Sequence, residues 1–165
     1  MPDWFVVNVA DAPAKRSAKE GAWTKLQREG EPEFAQFGMT VTAVWPGQTS
    51  SAYHAENLQE DFLVLSGECI AIVEEEEIPM KAWDFLHCPP GTRHVFVGAG
   101  EGPCTIVMVG ARSSDEELLY PLSELAARYG AQSRSAPTTG PGAYEGWPEA
   151  DRLERMPWPP PDEPV

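Results

Sequence analysis

The sequence predicts an all-β domain, a sandwich or closed barrel, followed by one or two short helices and a Pro-rich tail. Three observations predict it. Between residues 37 and 112, short runs rich in β-branched and aromatic residues alternate with Gly, Pro and Ser turn signals. Beyond residue 113 the apolar period changes to that of a helix. From Ala131 onward Pro, Gly and polar residues dominate, ending in Met156-Pro157-Trp158-Pro159-Pro160-Pro161, a composition that favours extended, irregular backbone.

In chain order, residues 4–9 read as a first strand, and residues 10–32 as a polar stretch of little periodicity that wraps the barrel. Strands are then expected over 39–45, 61–65, 68–73, 78–81, 84–88, 94–97 and 104–109. The acidic run Glu74-Glu75-Glu76-Glu77 separates two of these and reads as an exposed hairpin loop that keeps an edge soluble. Leu118, Leu119, Leu122, Leu125, Ala126 and Tyr129 recur at helical spacing, Pro121 suits a first turn, and Gly130 is a stop signal. Trp147 and Trp158 predict that the tail docks through its rings, on this barrel or on a neighbouring subunit. The expected organisation is an N-terminal strand and wrapping segment (1–36), a barrel (37–112), and helices with a packed tail (113–165).

Composition bounds the function. With 165 residues, 42% of them apolar, the chain can bury one sizeable core and needs no second domain. Twelve basic residues against 26 acidic ones give a net charge of -14, which repels phosphate backbones and anionic lipid surfaces, so neither nucleic acid nor a membrane is an expected partner. No basic-then-apolar leader opens the sequence and no apolar run reaches the length of a membrane span, so a cytoplasmic location is expected. Cys69, Cys88 and Cys104 are odd in number and each lies in a predicted strand, where a free thiol serves as a small apolar residue. Cys88 precedes a proline turn and has a second reading as a thiolate ligand, which burial disfavours by raising its pKa.

Two of the three histidines fall in segments that read together as a split metal site. If residues 54–60 are extended, His54, Glu56 and Glu60 share one face, and His94, delivered by the Pro89-Pro90-Gly91 turn, closes the set from a second strand. Two imidazoles and two carboxylates suit a divalent Zn, Fe, Mn or Ni ion, and ligand type does not choose among them. Glu56 either coordinates or only lines the cavity. Binding is expected to weaken below about pH 6, because imidazoles must be neutral to coordinate and histidine titrates near 6.5. His87 alternates with Leu86 and Cys88 and is expected at the surface or an interface. Arg93, beside His94, reads either as an anchor for an anionic substrate or, preferably, as a solvent-facing arginine.

These segments resemble the two motifs of the cupin superfamily, and in particular its small single-domain members. Gly47, His54, Glu60 and Gly67 follow the first motif, including its six-residue gap from Glu60 to Gly67; Pro89, Gly91 and His94 follow the second. The departures are Gly47, one residue further from His54 than usual, Glu56 in place of a second histidine, Trp83 in place of a glycine, and Gly98 in place of an asparagine. The resemblance implies a double-stranded β-helix, a jelly-roll barrel, holding one divalent metal with an open coordination position. It implies a small-molecule pocket with apolar walls such as Phe62, Val64 and Phe96. With Fe the expected chemistry is that of a dioxygenase; with Zn, Ni or Mn it is Lewis-acid isomerase or lyase chemistry. Two alternatives stay open: a non-catalytic small-molecule-binding or sensor cupin, and a barrel in which the metal is structural. Barrels of this family often pair, so a homodimer is a further expectation.

Overall fold

The computed structural model of the protein describes residues 4–28 and 30–164. In chain order the strands are β1 (Ala14–Ser17), β2 (Gly21–Lys25), β3 (Phe37–Val44), β4 (Ala55–Glu56), β5 (Glu60–Ser66), β6 (Glu68–Val73), β7 (Glu76–Lys81), β8 (Phe85–Cys88), β9 (His94–Ala99), β10 (Cys104–Ala111), β11 (Leu118–Leu119) and β12 (Asp151–Leu153). One short helix, α1 (Glu124–Arg128), follows the barrel. A seven-stranded antiparallel sheet runs β12-β1-β2-β3-β10-β5-β8, a three-stranded one β7-β6-β9, and β11 pairs with β4. Val44, Phe62, Val64 and Ile106 from the larger sheet pack against Cys69, Ala71, Met80 and Phe96 from the smaller one. This is the all-β jelly roll that the sequence predicts.

Period-two alternation explains which residues face inward. On β5, Phe62 and Val64 are buried while Leu63 between them is only partly so and Leu65 is exposed; the alternation ends at the bulge opposite Thr105 and Ile106. Register carries the same face across the sheet: Glu60 lies opposite Gly110, and Gly110 opposite Gly38; Phe62 opposite Met108, Met108 opposite Thr40, and Thr40 opposite Lys25. Glu74 and Glu75 form the two-residue turn between β6 and β7, both at positive φ, 49° and 68°. Positive φ at both central residues is the geometry that matches strand twist in a two-residue hairpin. Trp83, which stands where the family motif has glycine, keeps a left-handed backbone with φ 74°, at a steric cost of roughly 1–2 kcal/mol for an L-residue.

Three expectations require correction. Residues 4–9 form no strand: 4–8 lack a paired sheet neighbour, Trp4 and Val6 are exposed, and Val9 opens a short 3-10 turn, Val9–Asp11. Residues 10–32 contain β1 and β2, which extend the main sheet. Helical spacing from Leu118 onward overshoots: Leu118 and Leu119 are strand residues facing Glu56 and Ala55, and α1 begins only after Ser123, whose hydroxyl accepts the Ala126 N–H at 2.8 Å. Gly130, at φ 70°, ends that helix as expected.

The tail packs on its own barrel. Met156 is fully buried among Ala14, Ala22, Ala43 and Trp45, flanked by Leu153 and Trp158. The Trp45 indole N–H donates to the Pro161 carbonyl at 2.9 Å. Trp147 closes a second cluster with Ala52, Tyr120 and Ala143. Among the described residues no helix is long and apolar enough to cross a membrane.

Candidate metal centre

His54 and His94 meet because their backbones form an isolated antiparallel bridge, with reciprocal N–H···O=C bonds of 3.2 and 2.8 Å. The two rings then lie on one face, 4.8 Å between centroids. Glu60 arrives from the opposite sheet at the start of β5, and its carboxylate Oε2 stands 3.2 Å from His94 Nε2. Ligand atoms of His54, Glu60 and His94 all lie within 4.8 Å of one another, a group able to hold a metal ion. Glu56 lies outside that group. Its Oε1 is 3.8 Å from His54 Nε2, and its backbone is pinned by the Gly91 N–H at 2.6 Å and by pairing with Leu118.

The donor chemistry fits a divalent cation. His54 Nδ1 donates to the Ala52 carbonyl at 2.8 Å and His94 Nδ1 to the Thr92 carbonyl at 3.0 Å. Each bond fixes the Nδ1–H tautomer and leaves Nε2 with a free lone pair, the outer-sphere support that ligating imidazoles normally have. Burial holds both rings neutral: His94 is lowered to about 3, with proximity of His54 adding to the effect, and His54 is lowered as well. The carboxylates respond in the opposite sense. Burial raises Glu60 to about 8, reinforced by Glu56 and Glu116, and raises Glu56 to about 7, reinforced by Glu116. Crowded carboxylates that resist ionisation beside two free imidazole lone pairs form an environment that a cation would relieve.

His54 and Glu60, with Glu56, line a cavity of about 470 Å³, and His94 sits buried behind them. Thr40, Ser50, Ser51, Tyr120 and Tyr144 bring hydroxyls to its wall; Glu20 and Glu116 add carboxylates; Trp23, Lys25 and Arg112 lie toward the β2 and β3 side. Phe62, Val64 and Phe96 are not lining residues but part of the closed core beneath, so the cavity is more polar than the sequence suggests. The Phe62 ring nonetheless supports the site from below, 5.0 Å from that of His94.

The remaining sequence candidates fall elsewhere. His87 is exposed and its Nδ1 pairs with Asp61 Oδ1 at 2.7 Å. Arg93 is tied to Glu74 and does not line this cavity. Cys88 is buried in the core, its thiol pushed up to about 12 by burial and by Glu60, which keeps it protonated. Lys25, Arg112, Glu116 and the Tyr120–Tyr144 pair escape sequence reasoning. Register alone brings them to the cavity, and the inward position of Lys25 opposite Thr40 would have been the signal had β2 been recognised.

Comparison with known proteins follows the same lines. Residues 40–110 match the model of the cupin domain family. No curated protein matches the chain. Among solved structures, the chain is similar to a sugar phosphate isomerase of the cupin superfamily from Silicibacter pomeroyi DSS-3, at 26% identity and TM-score 0.56, over 67% of this chain and 76% of that one. It is also similar to the polyketide cyclase RemF from Streptomyces resistomycificus, at 20% identity and TM-score 0.59, over 77% of this chain and 92% of the cyclase. The third is the DMSP lyase DddQ from Ruegeria pomeroyi DSS-3, at 19% identity and TM-score 0.51, where 64% of this chain spans only 54% of the lyase. These two likenesses show the fold alone. The two motifs, the facing antiparallel sheets and the family match identify residues 40–110 as a cupin domain.

Proposed function

We propose that the chain is a metal-dependent enzyme of isomerase or lyase type acting on a small hydroxylated molecule, with His54, Glu60 and His94 holding one divalent Zn, Fe, Mn or Ni ion. The observation that carries this reading is the pair of Nδ1–H···O=C bonds, which leave both Nε2 atoms free in one group with the Glu60 carboxylate, at a cavity that His54 and Glu60 line. When bound, the ion supplies Lewis-acid polarisation of a substrate oxygen. The hydroxyls of Thr40, Ser50 and Tyr120 offer hydrogen bonds that suit a polyhydroxylated ligand better than an aromatic hydrocarbon. Glu56, raised to about 7, faces the same cavity and is suited to take and return a proton near neutral pH. The similarity to a sugar phosphate isomerase supports the same class. An oxygen-dependent dioxygenase would use the same ligands with Fe, so metal identity separates the two chemistries.

Elemental analysis of tag-free protein tests the proposal. Wild type is expected to carry about one ion per chain, and His54→Ala and His94→Ala to lose most of it while keeping the fold. Glu60→Gln is expected to lose more metal than Glu56→Gln. Full occupancy in both histidine variants would overturn the site. A chain that takes up no metal even on reconstitution would be read instead as a non-catalytic small-molecule-binding or sensor cupin.

Two further expectations belong to this reading. Three free, buried cysteines are consistent with a reducing cytoplasm. The outer face of the main sheet presents Phe85, Leu63 and Val107 in one register row, with Phe85 62% and the neighbouring Trp83 75% exposed. Such an apolar face on the edge strand β8 supports a homodimer.

A further inference from the structure

Glu33, in the connection between β2 and β3, places its two carboxylate oxygens on two different cations. Oε1 accepts from Lys25 Nζ at 2.8 Å, and Oε2 accepts from Arg112 Nη1. Both cations line the cavity of the His54–Glu60–His94 group, whereas Glu33 is not among its lining residues. Lys25 extends inward from β2 opposite Thr40. The Arg112 guanidinium lies directly over Gly38, where an added Cβ would meet its Nη2 at 2.6 Å. Gly38 therefore makes room for this arginine. Gly110, paired with Gly38 on one side and Glu60 on the other, continues a side-chain-free floor from the arginine to the carboxylate of the triad. Two strand spacings separate β5 from β3, so that floor is about 10 Å long.

The charges sort along the same line. Glu56, Glu60 and Glu116 interact with one another, and Glu56 and Glu20 both act on Tyr120, so the acids gather around the triad and the tyrosine. The basic pair lies at the far end of the glycine floor. In a chain of net charge -14, a lysine and an arginine converging on one carboxylate at a cavity wall form a local site for an anion, although the protein as a whole repels anions.

We propose that Lys25 and Arg112 bind the anionic end of the substrate, a carboxylate or phosphate group, and that Glu33 occupies this subsite in its absence as a built-in competitor. Resting on the catalytic reading above, this narrows the substrate to a bifunctional molecule, with oxygen donors at the triad and an anionic group about 10 Å away across Gly110 and Gly38. Glu33 keeps the two cations paired when the subsite is empty and yields when a stronger, multidentate anion arrives. An intramolecular competitor reduces apparent affinity by the fraction of time it holds the site.

The test is a calorimetric titration of the full chain with inorganic phosphate and, separately, with succinate. Glu33→Gln is expected to bind one or both probes about three- to tenfold more tightly than wild type, the range that exposed ion pairs support. Adding Lys25→Gln or Arg112→Gln to Glu33→Gln is expected to abolish the gain; two cation variants are used so that a folding defect in one leaves the other informative. Preference for phosphate or for succinate names the anionic group, and either preference supports the proposal. No binding to Glu33→Gln, or binding unchanged by both cation substitutions, would overturn it. Metal content is read in parallel: His94→Ala is expected to lose metal yet keep the phosphate or succinate response, so failure of the metal site and failure of the anion subsite give different results.

Discussion

Glu60 sets the pH response of the proposed centre. In the ion-free protein its carboxyl is raised to about 8 and that of Glu56 to about 7, while both histidines are held below their ordinary range. A metal must therefore displace a proton from Glu60 rather than from imidazole. Apparent affinity is expected to rise with pH between 6 and 8, approaching about tenfold per unit while one proton is released; metal titrations at pH 6, 7 and 8 would show it, and a flat profile would exclude Glu60 as a ligand. The response predicted from histidine alone, centred near pH 6, moves upward. The linkage for stability has the opposite sign. A carboxyl whose folded pKa exceeds its unfolded value contributes stability that is present below about 4.5 and is lost as pH rises through about 8, so metal-free protein is expected to melt at lower temperature at pH 8.5 than at pH 6. His54, Glu60 and His94 were legible in the sequence because few histidines compete for the role and the motif spacing is distinctive. Lys25 and Arg112 were not, because nothing local separates a cavity-facing cation from a solvated one.

Strands with alternating β-branched residues announced themselves, and β6 falls where alternation predicts it. β1 and β2 did not, since their buried positions are Ala14, Ser17, Ala22 and Thr24, too small and polar to give a hydrophobic period; the partner strand and the tail supply the bulk that buries them. Leu118 and Leu119 misled for the converse reason, because a two-residue strand is too short for its period to compete with a helical pattern. Gly98 shows what a motif departure can mean at this scale. Its N–H donates to the Gln48 carbonyl and its own carbonyl accepts from the Gly47 N–H, both at 2.9 Å, so β9 crosses the end of β3 in close contact. A Cβ on Gly98 would lie 2.1 Å from the Trp45 carbonyl oxygen, backbone that cannot move aside without breaking the strand. Gly98→Ala is expected to cost about 2–3 kcal/mol of stability, measured as a lower denaturant midpoint; a shift within about 0.5 kcal/mol would contradict the contact.

Over the whole molecule, the outer sheet face and the tail have different fates. Phe85 and Trp83 are exposed beside the half-buried Leu63 and Val107, and burying this patch against a second copy is expected to make the protein dimeric. Sedimentation of wild type and Phe85→Glu at tens of micromolar checks this: two chains per particle should fall to one, and a monomeric wild type would remove the expectation. The opposite edge of the sheet is closed instead by the chain itself, through β12 and Met156. That closure has a temporal side. During synthesis the slot between Ala14, Ala22, Ala43 and Trp45 exists long before Met156 leaves the ribosome, and a plug more than a hundred residues downstream must find it last. Until that distant plug arrives, the folding barrel is expected to carry an open apolar seam, a surface that holdase chaperones can grip.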